Sequence, residues 1–176
     1  MIIESIKSEY LRYKSLAEGA FDQTTDEGLN KFPGKDNNSI SVIVNHISGN
    51  LKSRFTDFLT TDGEKSWRNR DTEFEEITFT RNELIKKWND GWNVLLTTLD
   101  ELSDNDLDKV VTIRNKKLSV AEALHRSLAH LSYHVGQIVF IARMIAGENW
   151  KSLSIPRGGS EQYNQNPDKE KGRPKN

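Results

Sequence analysis

The chain has 176 residues, 35% hydrophobic and 29% charged, with a net charge of −1 and no cysteine. That length suits one domain able to bury a core without staples, and the near-neutral charge gives no nucleic-acid footprint. The absence of cysteine excludes disulfides, thiolate metal sites, iron–sulfur clusters and a Cys nucleophile, and no apolar run approaches the roughly 20 residues needed to cross a bilayer. The N-terminus, Met1-Ile2-Ile3-Glu4, lacks a basic stretch followed by an apolar block, so a cytoplasmic protein without membrane or nucleic-acid partners is expected.

In chain order, Ile3, Ile6, Tyr10, Tyr13 and Leu16/Ala17 recur at three- and four-residue spacing and predict a first helix over residues 2–23. Thr24 to Gly28 ends it, with Asp26 as the cap of a short turn, and Phe32 to Asn38 reads as a loop. Ser39 predicts the N-cap of a second helix over 39–59, with an apolar arc of Ile40, Ile43, Val44, Ile47, Leu51, Phe55 and Phe58. Residues 60–80 form a polar connection longer than an antiparallel hairpin needs, hence a functional loop or a crossover. Thr80 and Glu83 spell a capping box that opens a third helix to about Leu102, burying Trp88 and Trp92 in the core or a dimer interface. Ser103 to Asp106 caps a short turn. Val110 to Ile113, a turn at 114–117 and Leu118 predict a small β-hairpin. Ser119 and Glu122 make a second capping box before a long helix that Gly147 stops. Four long amphipathic runs of this kind point to an all-α four-helix bundle.

Of the four histidines, His130 and His134 lie four apart on the last long helix and therefore point about 40° apart, one turn above the other. Two imidazoles on one face can share a transition metal, but a stable site needs a third ligand. His125 points about 140° away from His130. His46, on the second long helix, is the free candidate. On helical wheels His46, His130 and His134 all fall at a rim of an apolar arc, where a bundle would place an open metal site. Three neutral nitrogens suit zinc, nickel, cobalt or ferrous iron and do not suit calcium or magnesium. Asn50 and Gln137 are placed to contact a substrate or orient a ligand; Tyr133 is expected to pack. No residue stands out as a general base. Arg68, Arg70 and Arg157 either recognise an anion or, as the more economical expectation, pair with Asp71, Glu73 or Glu75 to order loops.

The stretches Asn45-His46-Ile47-Ser48-Gly49-Asn50 and His130-Leu131-Ser132-Tyr133-His134-Val135-Gly136-Gln137 resemble the DinB-like superfamily over roughly residues 1–164. Residues 67–74 and 153–160 are similar to one uncharacterised branch of it. The resemblance implies a down-up-up-down bundle, a homodimer, and a divalent metal held by His46, His130 and His134, with zinc or nickel first and iron or cobalt next. It also implies a small-molecule substrate, such as a low-molecular-weight thiol for a transferase, or the substrate of a hydrolase. The alternative is a non-catalytic metal-binding or dimerising bundle. Residues 165–176, charged and bearing Pro and Gly, are expected to form a disordered tail.

Overall fold

The computed structural model describes residues 1–165; most of the expected C-terminal tail, 166–176, lies outside the described residues. The fold is predominantly helical, with one small two-stranded antiparallel sheet. In chain order the elements are α1 (Ile2–Asp22), α2 (Asp26–Asn30), α3 (Ile40–Phe55), α4 (Arg81–Glu101), β1 (Val110–Ile113), β2 (Lys116–Ser119), α5 (Val120–Ala146) and α6 (Ser160–Asn164). No helix among the described residues is long and apolar enough to cross a membrane.

The apolar stripes read from the sequence become one core. Ile3, Ile6, Tyr10, Ala17, Ala20 and Phe21 of α1 are buried, and α1 packs chiefly on α5 while α3 packs chiefly on α4. Trp88 and Trp92 of α4 are core residues. Trp88 meets Phe21 edge-on at 5.3 Å between centroids, and Trp92 meets Tyr10 the same way at 6.4 Å. The Tyr10 hydroxyl donates to Leu124 O at 3.0 Å, tying α1 to α5. The α3–α4 contact is close enough to reach backbone: a Cβ on Gly91 would stand 2.8 Å from Ser48 Cα. Small residues at this crossing let two helices approach more tightly than side chains normally allow.

Both predicted capping boxes form, at Thr80/Glu83 and Ser119/Glu122. The short turn at 103–106 is capped as expected, by Ser103 and Asp106, and three local expectations change. Thr25, not Asp26, caps α2, its hydroxyl accepting from Gly28 N. Within the 103–106 turn, in addition to its own cap, Asp104 accepts from the backbone of Ile2 and Ile3 at 2.9 and 3.0 Å, so it also caps α1 from a hundred residues away. α3 stops at Phe55 rather than 59: Thr56 is already extended, at ψ 126°, and Asp57 then turns left-handed, at φ 49°, its carbonyl accepting from Thr60 and Thr61. The hairpin loop is two residues, Arg114 and Asn115, both at positive φ, and Lys116 and Lys117 belong to β2. Paired positive φ values give the primed turn whose twist matches a two-residue hairpin.

Asp62 secures that turn. Its carboxylate accepts from Arg114 N and Asn115 N at 2.9 and 2.8 Å and from Glu64 N at 2.7 Å. Burial opposes ionisation, but the backbone donors outweigh it and hold the carboxyl at about 2. A depressed folded-state value contributes stability above the unfolded value of about 3.9, and that contribution is lost as pH falls through the folded value. Asp62→Asn is therefore expected to lower the urea midpoint at neutral pH and to match wild type near pH 2. A midpoint difference that persists undiminished into acid would contradict this.

Candidate metal centre

α3 presents His46 to the interior, where it is 2% exposed, and α5 presents His134, 8% exposed, with His130 half-buried one turn earlier. The three rings converge. His46 Nε2 lies 3.3 Å from His130 Nε2, and His134 Nε2 lies 3.2 Å from the same atom. Each residue offers a nitrogen, and these nitrogens are within 4.8 Å of one another. Ligands about 2.1 Å from a tetrahedral ion stand about 3.4 Å apart, close to the two spacings measured from His130. His125 is exposed and takes no part in the cluster.

The far side of each ring decides what the near side can be. His46 Nδ1–H donates to Glu73 Oε2 at 2.8 Å, and His134 Nδ1–H donates to the Gln137 side-chain oxygen at 2.8 Å. With a ring proton committed to Nδ1, the Nε2 of each of these two rings is the atom turned toward His130 and left to supply a lone pair. His130 Nε2–H could satisfy one of the two lone pairs, not both. A cation shared by all three nitrogens resolves that conflict. Burial, reinforced by the nearby His134 and His46 and by Arg54 and Arg68, pushes the His130 imidazole down to about 3. Burial also lowers His134 against the supporting bond from Gln137. His130 and His134 are therefore neutral at physiological pH, the state a metal ligand requires.

Glu73 is the residue that sequence reasoning placed only as a loop partner. It sits on a 3-10 turn, Asp71–Phe74, inside the long 60–80 connection. Arg68 Nε and Nη2 grip its two oxygens at 2.8 Å each, so the expected Arg–Glu pair forms, with the Arg68 side chain 2% exposed. The same carboxylate also fixes His46. Burial would raise the Glu73 carboxyl, but hydrogen bonds from Arg68 and His46 hold it below the usual glutamate range. The approach needs Gly49: a Cβ there would stand 2.1 Å from Glu73 Oε1. The neighbouring Phe74 stacks on the His46 ring at 4.5 Å, and the Arg70 guanidinium lies over Phe74 at 5.0 Å.

Gln137 thus orients His134, while Asn50 lines a cavity of about 170 Å³ beside His46 and His130. Tyr133 does not pack as expected. It is 64% exposed, because it projects from the outer flank of α5, and its hydroxyl accepts from Gln137 Nε2 at 3.2 Å. The excess length of the connection was the one sequence signal for Glu73's role.

The fold is similar to the crystal structure of the conserved protein of locus from Enterococcus faecalis, with a TM-score of 0.59 at 16% identity over 80% of this chain and 96% of that one. At that identity the likeness concerns the fold alone. No curated protein matches the chain significantly. The family model described as protein of unknown function (DUF1572) matches residues 1–159, and the chain belongs to that family.

Proposed function

We propose that this protein is a divalent-metal-dependent enzyme of the DinB-like type, a down-up-up-down helical bundle whose ion is held by His46, His130 and His134. The observation that carries the reading is the convergence of three Nε2 atoms, two of them with the ring proton already donated elsewhere. Three nitrogen donors without a carboxylate favour zinc, nickel, iron or cobalt over calcium or magnesium. Three ligands leave open positions, the arrangement of catalytic rather than structural sites.

Such an ion supplies Lewis-acid polarisation of a water, thiol or carbonyl placed on its open side. That chemistry fits transfer of a low-molecular-weight thiol or hydrolysis of a small molecule. The protein's own part is orientation. Glu73 and Gln137 lock two ligand rings, Phe74 covers the His46 face, and Asn50 offers an amide to a molecule in the adjoining cavity.

Elemental analysis tests the reading. Purified wild-type protein is expected to carry stoichiometric transition metal, and His46→Ala, His130→Ala and His134→Ala are each expected to lose it with helical circular dichroism retained. Full metal content in all three variants would reject the site.

A further inference from the structure

The cavity beside His46 and His130 has an unusual wall. Arg54, Arg68, Arg70, Arg114 and Arg126 all line it, and no carboxylate does. The carboxylates that pair with these arginines are already shared. Glu64 serves both Arg54 and Arg114, at 3.1 and 2.9 Å. Glu73 is divided between Arg68 and His46. Asp71 reaches Arg70 only at 3.7 Å and is 95% exposed. Arg126 makes no ion pair among the described residues. The guanidinium groups therefore outnumber their counter-charges around a concave surface, where low-dielectric walls concentrate the field. Three of them also keep hydrogen-bonding capacity: Arg70 and Arg126, both exposed and without a side-chain hydrogen bond among the described residues, and Arg68 through Nη1, which is buried with no hydrogen-bond partner among them. Buried donors left unpaired are rare.

The apolar part of the lining is Phe55, Phe58, Ile113 and Ala123, and Asn50, Ser127 and the two histidines complete it. A void of about 150 Å³ accepts a benzene-sized body, and this one is about 170 Å³. Phosphate and carboxylate oxygens are the acceptors that a guanidinium fork matches best.

From this geometry we infer that the cavity binds a small organic anion, an apolar body of benzene size carrying a phosphate or carboxylate group, with Arg70 and Arg126 holding the charged end and the opposite end turned toward His46 and His130. As the substrate class of the proposed metal centre, this rests on that reading, but the binding itself does not require the metal. Arg157, which the sequence offered as a third anion contact, is exposed and does not line the cavity.

The test is calorimetric titration of the full chain with phenyl phosphate, phthalate and the uncharged benzamide. Phenyl phosphate or phthalate is expected to bind at least about ten-fold more tightly than benzamide, and whichever binds tighter identifies the anion. The double variant Arg70→Ala/Arg126→Ala is expected to lose that advantage, and Arg157→Ala to keep it. Equal affinity for the charged and uncharged probes would overturn the inference, as would wild-type anion affinity in the double variant. His130→Ala separates the two proposals. Loss of metal with the arginine-dependent affinity retained supports both. Absence of metal from wild type with that affinity present sinks the metal reading alone. Anion affinity that disappears with the metal yet survives in the arginine variant means the ion is the sole anchor, and this inference fails.

Discussion

Glu73→Ala is expected to weaken both the fold and the metal centre. The Arg68 guanidinium, bound through two nitrogens to Glu73 and almost wholly enclosed, would keep its charge and lose its counter-charge. Breaking one partner of a buried pair typically costs about 3–5 kcal/mol, equivalent to a fall in Tm of about 6–20 °C for a chain this long. Independently, His46 would lose the acceptor that commits its proton to Nδ1, and loss of such an outer partner typically lowers metal affinity about 10–100-fold. Glu73→Gln discriminates the causes. The amide oxygen can still accept from His46, but Arg68 loses its anion, so stability is expected to fall with a smaller loss of metal. The pair Arg68→Met/Glu73→Leu removes both charges and is expected to recover most of the stability without recovering metal affinity. Chemical denaturation and competition with a chelator give the two readouts. A Glu73→Ala protein with wild-type midpoint and wild-type metal affinity would show that this carboxylate supports neither.

What the sequence disclosed and what it withheld follow the range of the interactions. Capping boxes at Thr80/Glu83 and Ser119/Glu122 are closed within four residues, so they were legible. The buried stripes of α1, α4 and α5 follow from helical periodicity alone. The pairing of His130 with His134 is likewise a property of one helix, and the proximity of His46 could be posed as a question because few histidines compete. The His46–Glu73 bond spans 27 residues and depends on how an irregular connection folds back across α3. No periodicity encodes that path. Gly49 is equally silent in sequence, since its meaning lies in the carboxylate that occupies the space of its missing side chain. The early end of α3 turns on Thr56 becoming extended and Asp57 left-handed, which the apolar pattern running on to Phe58 conceals; Phe58 is buried without being helical. The arginine-lined cavity draws on α3, the 60–80 connection, the hairpin loop and α5, and none of these segments taken alone is notably basic.

Trp92→Ala should be as destabilising as Glu73→Ala while sparing the site. Trp92 is fully enclosed, touches Trp88 at 5.3 Å and Tyr10 at 6.4 Å, and lies on α4, which contributes none of the three histidines. Emptying such a position typically costs about 3–5 kcal/mol, through lost burial and the cavity left behind. The packing around Tyr10 would loosen, and with it the α1–α5 tie through Leu124 O. His130 and His134 stay four apart on an otherwise intact α5, and Glu73 still reaches His46 from the 60–80 connection. Metal affinity measured well below the lowered Tm is therefore expected to match wild type. Trp92→Phe refines the expectation. The indole nitrogen is buried without a hydrogen-bond partner among the described residues, so losing that donor removes an unsatisfied polar group and offsets part of the volume lost. Phe should retain most of the stability that Ala loses. Should Phe cost as much as Ala, the indole N–H has an acceptor such as an enclosed water. Should Trp92→Ala lower metal affinity in step with stability, the three imidazoles are held by the core as a whole, and the local locks at Glu73 and Gln137 are not sufficient to position them.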